Sequence, residues 1–367
     1  MSTAIARADQ ADSRHPMLRQ LDLFIGGGEV PTTPDDDGLD VSFMSRSLCL
    51  SGLPLRKQYE RDKKTLRSVE PQRECNVFSR NDDRFSLTIG TNTVVMPGGE
   101  HLCVGLPYGA RARLIILWMT TQARSPGRHP GDRWLEIGRI DEWLEQIGIV
   151  AHTDHALSAK EQLVRLAFAH FTMVMKREGL EYFTSDRLTE SSIFHEEDLR
   201  NYADGNLAKV RFPLGLELSP KAYSRFTGYD VIPVSTESLR KIATSAMAID
   251  ILLYLHYRLP LIGPGDNELV TWRKLAVQFG NGEPKARFRQ LFDTSIQKAL
   301  DAYTGANVDI TEEGLLLRFS PVDARKLFAV APRKTAGGTL QRVRTSNRIA
   351  PTREASGVTA TVTEKTA

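Results

Sequence analysis

One order of elements, long helix, short helix, long helix and two-stranded ribbon, is written twice along this 367-residue chain, and it restricts the fold more than any other feature. The first copy is preceded by strand-like "RFSLTIG" and "TVVMP". It opens with "PYGARARLIILWMTTQA", a buried helix with Pro107 near its first turn. A short strand "WLEIG" leads to "RIDEWLEQIGI", whose Ile140, Trp143, Leu144 and Ile147 have helical spacing. "SAKEQLVRLAFAHFTMVMKREG" then predicts a helix from a Ser158/Glu161 capping box to Gly179. "LEYFTSDRL" and "NLAKVRFPLGLEL" close the copy as a strand pair.

The second copy begins with "TESLRKIATSAMAIDILLYLHYRL", read as one long helix because neither glycine nor proline interrupts it. "ELVTWRKLAVQFG" predicts a short helix ended by Gly280, and "PKARFRQLFDTSIQKALDAYTG" a long one between Pro284 and Gly305. "NVDITEEGLLLRFSP" gives two strands about a Glu-Glu-Gly turn. A helix-turn-helix followed by a ribbon is the order of a winged helix. The expected fold is therefore α+β, mostly α, with two tandem winged-helix domains at 49–218 and 219–330. The first is assigned to dimerisation and auxiliary DNA contact, the second to sequence-specific binding.

Flanking segments differ from this body. Residues 1–48, with Gly26–Gly28 and Asp35–Asp37, predict a disordered segment apart from a short helix at "MLRQLDLF". Residues 331–367 predict a disordered basic tail, in which seven Lys and Arg against two Glu give +5 of a chain total of +3. Cys49, Cys75 and Cys103 form no CxxC pair, and no apolar run approaches a membrane span. The expectation is a soluble, cytoplasmic protein without membrane partners.

The second long helix of the second copy opens with Lys285, Arg287 and Arg289, a concentration of cations where the helix dipole favours anions. A polyanionic partner accounts for it. With Phe288, Phe292, Ile296 and Ala299 facing inward, Arg287, Gln290 and Thr294 face outward, and these side-chain types hydrogen-bond base edges in the major groove of double-stranded DNA. Lys285 and Arg289 are expected to reach phosphates, as are Arg273 and Lys274 on the preceding helix and Arg318 on the ribbon. In the first copy Arg111, Lys160 and Arg165 form a thinner phosphate-binding set. The competing reading is a solvated face in which Arg289 pairs with Asp293.

Signatures of covalent chemistry are missing. The sequence holds no G-x-x-x-x-G-K-[ST] and no G-x-S-x-G. "HTDH", His152 to His155, reads as a loop without further ligands, so no metal, cofactor or enzymatic activity is expected.

Several segments in order resemble the plasmid-encoded RepA-type replication initiators: "GLPYGARARLIILWMTTQA", "LEIGRIDEWLEQIGI", "AIDILLYLHYRL", "VTWRKLAVQFG" and "KARFRQLFDTSIQKALDAY". The resemblance spans about residues 50–320. It implies an initiator that binds repeated origin sequences, helps open adjacent A+T-rich duplex and recruits host replication proteins such as the replicative helicase and initiator. A monomer–homodimer balance is implied with it. A transcriptional repressor with the same domains and an origin-nicking endonuclease stand as the alternatives.

Overall fold

A computed structural model describes residues 41–60, 73–81, 85–125, 128–149, 152–177, 180–195, 197–228, 231–280 and 282–320. The expectations for 1–40, for Asn281 in the glycine turn, for Gly179 as a helix stop and for the tail 331–367 lie outside the described residues. Within them the fold is α+β.

Two helices form its centre. α2 (Gly109–Ala123) is buried continuously from Ala112 to Thr120, and α8 (Ala246–Arg258) from Met247 to His256. A helix buried on every side has no solvent face to orient it, so neighbours fix its place. The two pack on each other, and an ion pair joins them. Arg113, 2% exposed, donates Nε to Asp250 Oδ1 and Nη2 to Asp250 Oδ2, both at 2.6 Å. Its other N–H groups go to the carbonyls of Leu53, Pro54 and Gly109 at 2.6, 3.2 and 2.8 Å. A guanidinium can be buried at bearable cost only when its five donors are all used, and here they are. At Gly52 a Cβ would lie 2.1 Å from Asp250 Oδ2, so a side chain there would push the loop away from the pair.

Each central helix starts the same succession. After α2 come β6 (Trp134–Glu136), α3 (Ile140–Gln146), α4 (Thr153–Phe168), β9 (Thr189–Ile193) and β10 (Gly215–Leu218), with strands ordered β6-β10-β9. After α8 come β12 (Asn267–Thr271), α9 (Trp272–Phe279), α10 (Lys285–Ala302), β13 (Val308–Ile310) and β14 (Gly314–Arg318), ordered β12-β14-β13. Both sheets are antiparallel with the last strand in the middle. Element order repeats, and strand order repeats with it.

The first half carries insertions. β7 (Ala169–Arg177) and β8 (Leu180–Arg187) follow α4 directly and join β2 (Val77–Asn81) and β3 (Phe85–Thr91) in a sheet ordered β2-β3-β7-β8. A ribbon of β4 (Thr93–Val95) and β5 (His101–Cys103) precedes α2, and α5 (Asp198–Ala203) lies between β9 and β10. In the second half β13 and β14 are joined by a short turn held by Thr311, whose hydroxyl accepts from the Gly314 amide at 3.1 Å.

Five local expectations are corrected. Residues 41–48, assigned to a disordered segment, form β1 (Val41–Ser45) and the start of α1 (Arg46–Leu50). β1 pairs with β11 (Val231–Ser235), a partner no local reading could supply, and places Phe43 and Met44 in the core. The helix expected from Ser158 to Gly179 instead begins at Thr153, so "HTDH" lies at a helix start, and it yields to β7 at Ala169. There Phe171 and Met173 alternate with more exposed neighbours, a two-residue period. The expected long helix divides into α7 (Thr236–Ile242) and α8, because Ser245 caps α8 by accepting from the Ala248 amide at 3.4 Å. Glu268–Thr271, read into a helix, is part of β12. In "NLAKVRFPLGLEL" only Gly215–Leu218 is strand.

One hydrophobic core runs from Met44 to Leu317 through both expected domains. α6 (Pro220–Thr227), capped by Ser219, packs on α2 and β1. Among the described residues no helix is long and apolar enough to cross a membrane.

Candidate nucleic-acid interface

In the second half, α9 and α10 meet over a small aromatic cluster. Leu275 and Phe279 anchor α9, and Phe288, Phe292, Ile296 and Ala299 form the buried stripe of α10. Phe292 touches Trp272 edge-on at 5.5 Å between ring centres and Phe279 at 5.7 Å. The turn between the helices needs Gly280, since a Cβ there would fall 2.3 Å from the Ala276 carbonyl oxygen. Gly282 follows at φ +79°, a conformation costly for other residues.

This packing turns one side of α10 to solvent. Lys285, Ala286, Arg287, Gln290, Thr294, Gln297 and Lys298 are exposed. Arg287 donates to Gln290 Oε1 at 2.9 Å, and Thr294 Oγ1 donates to the Gln290 carbonyl at 3.1 Å. The three base-reading candidates thus form one contiguous polar strip. Arg273 and Lys274 are exposed on α9. Glu283, whose side chain is 7% exposed and bonded to Arg56 at 3.3 Å, places an acidic group just ahead of α10 and offsets part of the cationic first turn.

Other candidates are already engaged. Arg289 lies 3.5 Å over the Trp272 ring and gives Nε to the two Asp293 oxygens at 3.0 and 3.1 Å. The i,i+4 pairing weighed from the sequence is therefore present, and Arg289 is aimed sideways along the helix. Arg318 bridges the ribbon to Asp309 at 2.6 Å. Lys298, one turn beyond Thr294 on the same side, was not singled out from spacing, although its i+4 relation to Thr294 was the available signal.

The first-half set does not assemble as a phosphate site. Arg165 is 2% exposed and bonds Glu74 at 2.7 Å, Glu161 at 2.9 Å and the Leu106 carbonyl at 3.0 Å. It is a buried structural cation, which corrects its assignment to phosphate. Arg111 donates to the Ala243 carbonyl at 2.9 Å, at the end of α7, and burial lowers its pKa. That bond ties α2 to α7 and engages part of the Arg111 guanidinium. Lys160 lies 5.5 Å from the centre of the Phe212 ring, half-buried, and desolvation lowers its pKa. The cause is the inserted structure, because Val164 of α4 shares a separate apolar cluster with Leu102, Val104, Tyr202 and Val210.

The α+β class with a doubled helix, turn and ribbon order is now joined by a family. Residues 106–274 match the family described as "Plasmid encoded RepA protein", which supports a RepA-type replication initiator family for this segment. The match starts just before α2 and ends within α9, so the exposed strip of α10 lies beyond it. No curated protein matches the chain. Among the solved structures that are remotely similar are two of domains 2 and 3 of RctB. A selenomethionine derivative gives a TM-score of 0.45 at 12% identity, covering 76% of this chain and 99% of the other. The second gives 0.41 at 12%, covering 74% and 94%.

Proposed function

We propose that the chain is a plasmid replication initiator that binds double-stranded origin repeats, or iterons, through α10. The family match supports the initiator role, and the observation that carries the DNA reading is the solvent-facing strip of Arg287, Gln290 and Thr294 on a helix set against α9 by a glycine turn. Each half is read as a winged helix, supported by the repeated strand orders β6-β10-β9 and β12-β14-β13. α10 is the recognition helix, with its N-terminal turns in the major groove. Lys285, Arg273 and Lys274 hold phosphates at its margin, and Arg318 on the ribbon is proposed as a further phosphate contact.

On this reading the protein acts in the cytoplasm by binding, without covalent chemistry. It strains adjacent A+T-rich duplex and brings host replication proteins to the opened strands. The first half supplies support and a homodimer contact. Footprinting on the plasmid's own origin tests the reading: protection of several tandem direct repeats supports initiation. Protection confined to one inverted repeat would favour the repressor alternative. A covalent protein–DNA adduct on supercoiled origin DNA would turn the assignment to a nickase.

A further inference from the structure

Residues of the first half hold the end of α9. The helix finishes at Phe279, and the last carbonyls of a helix have no partner inside it. One of them, on Gln278, accepts from Arg80 Nη1 on β2, and Arg80 Nη2 lies 3.5 Å from the Leu53 carbonyl. That same Leu53 carbonyl accepts from Arg113 Nη2, so two arginines meet at one residue, and Arg113 is in turn bonded to Asp250 of α8. The Gln278 side chain returns the grip, donating Nε2 to the Leu50 carbonyl at 2.9 Å, and Arg56 reaches Glu283 just ahead of α10 at 3.3 Å. Residues 50–56 and β2 thus fasten both sides of the turn between α9 and α10.

Arg80 is 5% exposed, too deep to touch DNA, and burial lowers its pKa to about 10, which leaves it charged at neutral pH. Unlike Arg113 it is incompletely satisfied, since its Nε has no hydrogen-bond partner among the described residues. A buried guanidinium in that condition adds little to stability, so a contribution to the fold alone does not account for it. What it supplies is a fixed cation at the C-terminal end of α9, where the helix dipole favours one. Bases and phosphates make different demands on the helix that follows. A bond to a base edge needs its side chain placed within about 0.5 Å, whereas a lysine on a flexible stem follows a phosphate through larger shifts. We infer that Arg80 is a specificity-determining positioning residue, which sets α10 so that Arg287 and Gln290 meet the bases. This rests on the reading of α10 as the recognition helix.

The test compares the full-length parent with Arg80→Met, Arg80→Lys and Gln278→Ala, on a repeat from the plasmid's own origin and on random DNA of equal length. Arg80→Met should lower the ratio of repeat to random affinity about tenfold, the worth of one base contact, with random-DNA affinity and salt slope unchanged. Arg80→Lys keeps a cation within reach of the Gln278 carbonyl and should restore most of the ratio. Gln278→Ala, at a half-buried position, removes only the bond to Leu50 and should lower the ratio about threefold. It carries the test if Arg80→Met does not fold. A purely structural role predicts that both affinities fall together with the folded fraction, so a ratio equal to the parent's in Gln278→Ala and in folded Arg80→Met overturns the inference. A parent that binds repeat and random DNA alike would instead sink the reading of α10 as the recognition helix.

Discussion

α4 and α10 occupy the same place in their two halves, and both offer Lys, Arg and Gln at the positions where a recognition helix would carry them. In α10 the polar strip faces solvent. In α4 the same residue types point inward: Gln162 accepts from the Tyr108 amide at 2.8 Å and Arg165 neutralises Glu74 and Glu161. Side-chain identity is shared, and surroundings decide the role. Around α4 the inserted elements and the 53–58 and 73–75 stretches supply acids, carbonyls and apolar cover, so its cations hold the fold together.

Breaking the α4 side of this comparison should have the largest effect. Arg165→Met leaves Glu74 and Glu161 with Lys57 as their cation and should cost roughly 3 kcal/mol of stability in urea unfolding. The salt dependence of DNA binding by the remaining folded protein should be unchanged. An acid scan sharpens the point. Burial pushes the Glu74 carboxyl up, and its contacts with Arg165 and Lys57 outweigh that, leaving its pKa below the ordinary carboxylate value. A depressed carboxylate stabilises the fold above its unfolded pKa and loses that contribution as pH falls through the folded value. The parent should therefore lose more stability than Arg165→Met on acidification below about pH 4.5.

On the α10 side, Arg287→Ala should cost roughly 1 to 3 kcal/mol on the preferred repeat and much less on random DNA, with unfolding unaltered. Equal losses on both DNAs would mean that the strip does not face the bases. Lys285→Ala should weaken all sequences alike and reduce the salt slope by about one unit. The smallest effect is expected for Lys160→Ala, which should leave the salt slope unchanged because that ammonium lies over Phe212. A slope change there would return α4 to the interface.

What could be read in advance follows the range of the interactions. The α10 stripe and the Gly280 turn were legible because residues a few positions apart determine them. β7 was missed because no glycine or proline separates it from α4, and only its pairing with β3 and β8 draws Ala169–Arg177 out of the helix. β1 was missed for the same reason at greater distance, its partner being β11. The inward turn of Arg165 depends on Glu74, which is 91 positions away. Positive charge was visible at both helices, and Glu74, the distant carboxylate that takes up part of it at α4, was not.

The β1–β11 ribbon also sets a timetable for synthesis. Val41–Ser45 must wait for Val231–Ser235, and Arg113 waits similarly for Asp250. At about 5 to 20 residues per second, that delay is roughly 10 to 40 seconds during which Phe43 and Met44 lack their final neighbours. Such distant closures slow folding, since chain entropy is lost before the contact rewards it. A nascent or truncated chain ending before residue 231 would leave a strand edge and core surface open, so it should be prone to aggregation and proteolysis. The cell would then receive the first half in working form only together with the half that carries α10.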